Sequence, residues 1–391
     1  MTSPVPFFVG GASAASVAGV LNYGLIWEFD ATTLSMTPTF GAGTPTVTRA
    51  GNTATRFNSS GLLEVINANL PRFTYGLEST TFQGLLVEEA RTNVVLQNRD
   101  LTDAAWAVSN VTAAKDQTGI DGSANSASSI TATAIDGTIL QSITLASSAR
   151  YQTAYVKRLV GTGTVNMTMD NGTTWTPITV TAAWTRVSIP SQTVTDPIVG
   201  FQIATSGDSI AVDVVQNENG AFITSAIPTT TAAVARAADV ITLATSSITG
   251  FSATTLTMYT EMYGAGQTGA AGRAMEIHDG SANERILIQR GGGGNPNAVV
   301  TDGAVSQASL GAGTWNQGQL GRFALAVAAN DFAASFNGGS VVTDLSGTLP
   351  TVTTVNIGTN SAAVSAANAP ILKLRLYNVR KSNAQLQAMT A

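Results

Sequence analysis

Short stretches in which apolar and polar positions alternate recur along this chain. In "TLTMYTEMYG", Leu256, Met258, Thr260 and Met262 fall on one face and Thr257, Tyr259, Glu261 and Tyr263 on the other, the period of a half-buried strand. The same reading predicts strands in "YQTAYVKRL", "VNMTMD", "RVSIP", "IAVDVV", "RILIQR", "FALAVA", "AASFNGG" and "LKLRLYNV". Turn signals punctuate them at Asp170-Asn171-Gly172, Asp279-Gly280, Asn295-Pro296 and Asn337-Gly338-Gly339. Many short strands with frequent turns predict an all-β chain built of tandem jelly-roll or β-sandwich domains. One helix is predicted, at "SNAQLQAMT", where Ser382 is placed to cap it and Gln385 follows at capping-box spacing.

Shifts in composition divide the chain. The Thr/Ala-rich connector "AIPTTTAAVARAADV", from Ala226 to Val240, separates two strand sets, and the region from Asn98 to Asp103 separates the middle set from an earlier β-rich part. The expected modules are an extended N-terminal arm over 1–25, a β-rich adaptor over 26–98, a first sandwich over 99–228 and a second over 240–391. No repeat of solenoid length is visible. The opening "MTSPVPFFVGGASAASVAGV" has no basic residue before Arg49 and so lacks the charged start of a signal peptide. Pro4, Pro6 and the Gly/Ala/Ser run read as an arm without a core, expected to order against a partner.

Composition narrows the classes of function. The net charge is −5, and the 4 Lys and 15 Arg are scattered singly, which argues against nucleic acid and against an anionic membrane surface. No segment approaches the roughly 18 apolar residues of a membrane-spanning helix, so no membrane insertion is expected. The absence of cysteine excludes disulfides and thiolate metal sites.

Three segments carry a resemblance. "RFNSSGLLEVINANLPRFTY", "GLLVEEARTNVVLQNRDLTDAAW" and "AIPTTTAAVARAADVITL" together resemble a bacteriophage virion protein family of tail-fibre, receptor-binding and minor capsid type. Within it, 99–228 is similar to a carbohydrate-binding-module jelly roll, through "LTDAAW", "AAWTRVSIP" and "IAVDVVQNENGAF". The last 150 or so residues resemble a laminin-G or concanavalin-like sandwich, through "GTWNQGQLGRFALAVAANDFAASFNGG", "NIGTN" and "ILKLRLYNVRKSNAQLQ". The resemblance implies a structural virion protein without enzymatic activity, a subunit of a tail fibre, spike or head fibre. Its arm would bind other virion proteins, it would assemble as a homotrimer, and its sandwiches would bind host cell-surface polysaccharide. Capsid decoration or cementing without an external ligand is the alternative, and a polysaccharide depolymerase a further one.

The candidate residues follow. Glu88, Glu89 and Arg91 interrupt an apolar run; neighbours on a strand point to opposite faces, so the two acids cannot face one sugar as a glycosidase pair must. They read as a structural junction, one Glu pairing with Arg91 or with Arg236 to lock the adaptor to the sandwich. His278, the single histidine, has no nucleophile elbow beside it and cannot build a His-based metal site alone; with Glu276 and Asp279 it does not fit a paired-acid glycosidase motif. It reads as a hairpin residue. No cofactor is called for; calcium is the one plausible ion, with Asp170, Asn171, Asp208, Asp213 and Asp331 as candidate ligands but without EF-hand spacing. "RGGGGNPN", Arg290 to Asn297, lacks the ending of a phosphate loop and reads as a hairpin tip. Sugar recognition would use exposed aromatics. Trp106 and Trp184 read as core, whereas Trp175, Tyr259, Tyr263 and Trp315, with Glu261 for hydroxyls, are the carbohydrate-binding candidates.

Overall fold

The computed structural model describes residues 22–220, 222–265 and 271–391; the arm expected over 1–25 lies almost wholly outside the described residues. The chain is all-β, and its strands form antiparallel sheets stacked as two sandwiches. Every run that alternates in the sequence lies in a strand, from Ser148–Val160 to Ala369–Tyr377.

The middle sandwich stacks two five-stranded sheets. One runs Thr185–Val194, Ser148–Val160, Ser209–Asn219, Ala127–Ala132, Val111–Gln117; the other runs Thr176–Ile178, Val165–Thr168, Ile198–Ile203, Gly137–Ser142, Ala107–Ser109. Trp106, Ile139, Ala154, Val156, Met167, Phe201 and Val215 fill the space between them. Alternation explains the split: Ala154 and Val156 enter this core, while Tyr155 points to the outer face.

The second sandwich stacks a seven-stranded sheet on an eight-stranded one, and it corrects the expected modules. Strand Ala369–Tyr377 of the larger sheet pairs along one edge with both Leu25–Asp30 and Phe82–Val87, and Phe73–Tyr75 follows outward. Thr46–Thr48 extends the smaller sheet by pairing with Val240–Ala244. Trp27, Phe29, Phe73, Leu85 and Val87 are therefore part of the same core as Met258, Phe323 and Ile371. The segment 26–98 is not a self-contained adaptor; it completes both sheets of a sandwich whose remaining strands lie far along the chain.

The rest of that segment reaches the other way. Hairpin Ala54–Phe57/Leu63–Ile66 lies on the outer face of the middle sandwich, with Leu63 and Phe57 against Ile120, Tyr155, Trp184 and Val214. One stretch of chain thus packs on both bodies. The helix Asn383–Thr390 has the Ser382–Gln385 capping box and covers the outer face of the eight-stranded sheet, with Leu386 and Met389 over Tyr259, Ala324 and Tyr377.

Candidate functional site

Between the two sandwiches runs a buried chain of charges. Glu88 lies just past the end of strand Phe82–Val87 and is 3% exposed. Its Oε2 accepts from Arg72 Nη1 at 2.6 Å, from Arg236 and from the Ser225 hydroxyl at 2.6 Å; its Oε1 accepts from the Ser225 N–H at 2.6 Å. Asp239 accepts from Arg72 and from Arg49, the latter at 2.7 Å; its carboxylate also accepts from the Glu88 N–H at 2.9 Å, and its own N–H donates to the Glu88 carbonyl. Burial alone would raise the Glu88 carboxyl, but Arg236 and Arg72 outweigh it and hold it at about 2. Glu89 turns away and pairs with Arg91, whose guanidinium lies over the Phe222 ring. The two acids have separate partners, and Glu88 and Asp239 are both buried and paired with arginines.

The carbohydrate-binding candidates do not converge. Trp315 is fully buried in the C-terminal core against Phe336, its Nε1–H bonded to the Gln319 carbonyl, so the loop that holds it turns the ring inward. Tyr259 is 2% exposed beneath the C-terminal helix and donates to Glu261 Oε1 at 2.7 Å. Neither ring can stack on a sugar. Tyr263 is half-buried beside Thr81, Gln83 and Pro370, and Trp175 lies half-buried against the Gly172 turn. Trp106 and Trp184 are buried, in the middle core and against the adaptor hairpin respectively.

The proposed calcium ligands are engaged elsewhere. Asp213 takes both nitrogens of a forked Arg99 at 2.6 and 2.9 Å, Asp331 pairs with Arg380, Asp208 accepts from the Gly163 N–H, and Asp170 is held by Thr168 and Thr174. Among the described residues no three metal-ligating side chains come together. Of the glycine-rich tip, Gly291 and Gly294 close a tight turn above Trp315.

A site that the sequence did not announce opens where the ribbon Arg91–Asn93/Val234–Arg236 meets the end of the middle sandwich. The groove has a volume of about 590 Å³ and is lined by Gly51, Ala90, Val94, Leu145, Arg150 and Asn219 among others. Arg150 and Gln152 continue the face of Ala154 and Val156, so they stand at the mouth of the apolar core. Arg150 is 4% exposed, its Nη1 reaches only Asn217 Oδ1 at 3.4 Å, and its Nε has no partner. Both amide atoms of Gln152 and the Asn217 Nδ2 are also buried without partners. Arg49, Arg72 and Arg236 each have a carboxylate; Arg150, among the described residues, has none within ion-pair distance, and burial lowers its pKa. A buried, unpaired guanidinium facing a largely apolar groove suits an anion joined to an apolar body. The only sequence signal for it was polar residues in core phase at 150 and 152.

No protein-family model matches the chain, and no curated protein matches it. Solved structures that resemble parts of it include a carbohydrate-binding domain (CBM40) of the Ruminococcus gnavus IT-sialidase bound to alpha2,3 sialyllactose, at 13% identity, covering 36% of this chain and 84% of that one, TM-score 0.32. A mutant of the Streptococcus pneumoniae NanB sialidase gives 14% identity over 37% of this chain and 26% of that one, TM-score 0.31. The Trypanosoma rangeli sialidase gives 11% identity over 39% and 25%, TM-score 0.31. The chain thus spans about a quarter of the two sialidases, and likenesses of this size do not carry a function across.

Proposed function

We propose that the chain is a structural subunit of a bacteriophage virion, without enzymatic activity, that binds host-surface polysaccharide through the groove at the end of its middle sandwich. The observation that carries the binding role is Arg150: a buried guanidinium with no carboxylate of its own, at the edge of a groove with apolar walls. A carboxylate or sulfate of an acidic sugar would take the two-pronged bond the guanidinium offers, while Val94, Leu145 and the alanines accept the apolar face of the ring. The virion role rests on the resemblance of the three segments named above and on the locked junction, which suits a subunit that must hold its two sandwiches steady. In this reading residues 1–25 anchor to other virion proteins and the subunit assembles as a homotrimer.

The test is an array of acidic and neutral bacterial polysaccharides probed with the purified protein and with Arg150→Ala. Loss of acidic-glycan binding by tenfold or more, with an unchanged thermal midpoint, supports the reading. Undiminished binding by the variant, or silence of the array towards the unaltered protein, rejects it. Detection of the chain in purified phage particles by mass spectrometry tests the virion role separately.

A further inference from the structure

The helix Asn383–Thr390 roofs only part of the outer face of the eight-stranded sheet. On strand Thr255–Tyr263, Met258 and Met262 enter the core, so Tyr259 and Tyr263 share that outer face. The helix closes over Tyr259 and Tyr377. Tyr263 lies about 13 Å further along the strand, where it is half-buried and lines an open cavity of about 500 Å³. Thr81 and Gln83 line the same cavity from the start of strand Phe82–Val87, Gln317 from the loop before Leu320–Ala328, and Ile223 from the segment that leaves the middle sandwich after Ser209–Asn219. The cavity thus draws on both sandwiches. Its walls are fixed by bonds of their own. The Gly264 N–H donates to the Gln319 carbonyl and the Gly318 N–H to the Gly264 carbonyl, each at 2.8 Å. A Cβ on Gly264 would overlap the Asn316 carbonyl, so glycine there lets the loop that carries Gln317 close on the strand end. Asn368 is committed as well, accepting from the Glu89 N–H at 3.2 Å and donating to the Ala366 carbonyl at 3.1 Å.

The lining decides the chemistry. The groove at Arg150 is lined by three arginines, Arg91, Arg150 and Arg236, whereas no charged side chain lines this cavity among the described residues. An anion would find no countercharge here. The polar groups it presents are the Tyr263 phenol, the amides of Gln83 and Gln317 and the Thr81 hydroxyl. Thr81 and Gln317 are exposed, Gln83 and Tyr263 half-buried, and none of these four side chains makes a hydrogen bond among the described residues. All four can both donate and accept, which matches a ligand whose own groups do both, as sugar hydroxyls do. The Tyr263 ring, Pro370 and Ile223 supply the apolar surface on which a pyranose face can rest. A wholly apolar ligand would displace water from the two amides without replacing its hydrogen bonds.

We infer that the cavity at Tyr263 is a second saccharide site, separate from the groove at Arg150, that takes a short, neutral oligosaccharide. It does not depend on the function proposed for the groove, because no residue is shared. The test probes the full chain with an array of neutral oligosaccharides and uncharged peptides, followed by calorimetric titration of the tightest saccharide binder. That saccharide should bind the unaltered protein and Arg150→Ala alike. Loss of the ring in Tyr263→Ala should weaken it about tenfold, and loss of one amide in Gln317→Ala about fivefold. Gln317 is exposed and bonded to nothing among the described residues, so its variant should fold even if Tyr263→Ala does not. Absence of any neutral saccharide binder, binding indifferent to Gln317→Ala or to a folded Tyr263→Ala, or binding confined to the peptides overturns the inference. A neutral saccharide lost with Arg150→Ala would belong to the groove and overturn it too. Retained acidic-glycan binding by Arg150→Ala would instead count only against the groove.

Discussion

Glu88 accepts from two arginines, a serine hydroxyl and a backbone N–H, all away from water, so loss of its charge leaves Arg236 buried without a paired carboxylate and Arg72 with Asp239 alone. Removing one partner of such a set typically costs about 3–5 kcal/mol, and Glu88→Gln is expected to lower the urea stability by that order. The pH dependence has a definite sign. The folded-state pKa of about 2 lies below the ordinary 4.5, so the unfolded chain binds the proton more readily. The stabilisation is present above pH 4.5 and is lost as the pH falls from there towards 2; urea midpoints measured across that window should drop in the native protein and change less in Glu88→Gln. Arg150 is the opposite case, a buried charge without an acid, and for it Arg150→Met should leave stability unchanged or raise it, while abolishing the acidic-glycan binding proposed above. A Met variant that unfolds would show that the guanidinium serves the fold instead.

Individual strands were legible and their partners were not. The alternation in "TLTMYTEMYG" defines strand Thr255–Tyr263 and sends Leu256, Met258 and Met262 into the core. What it cannot encode is that the opposite face, with Tyr259, is roofed by a helix more than a hundred residues later, which is why an apparent sugar-stacking tyrosine is core. Trp315 was misplaced for the same reason: loop composition says nothing about which way a ring turns. Strand Leu25–Asp30 pairs with Ala369–Tyr377 at the other end of the chain, a pairing that no local pattern carries. The helix cap was legible because its signal is local. Ser382 accepts from the Gln385 N–H and Gln385 returns the bond, so Ser382→Ala should destabilise the helix by about 1 kcal/mol. Hydrogen exchange should then quicken in Asn383–Thr390 and at Tyr259 and Tyr377 beneath it, with the middle sandwich unaffected; uniform change across the chain would refute a local role.

The two sandwiches have separate cores, and two such bodies on a flexible connector would melt independently. Here they share the segment 26–98, whose strands complete both sheets of one sandwich and whose hairpin lies on the outer sheet of the other. They also share the charge network, which ties Arg49, Arg72 and Glu88 of that segment to Ser225, Arg236 and Asp239. Unfolding either body therefore strips apolar surface and buried charges from the other. Calorimetry is expected to show one transition for the intact chain. In Glu88→Gln the middle sandwich, which keeps all ten of its strands within 107–219, should begin to melt separately, resolving a second peak. A fragment of residues 240–391 tests the same coupling from the other side. Without Leu25–Asp30, Phe73–Tyr75 and Phe82–Val87 it bares the strand edge of Ala369–Tyr377 and the core face around Met258 and Ile371, and should aggregate or bind a hydrophobic dye. A soluble, cooperatively folding fragment, or two peaks already present in the intact protein, would mean that the segment merely leans on the two sandwiches and that the buried charges do not join them.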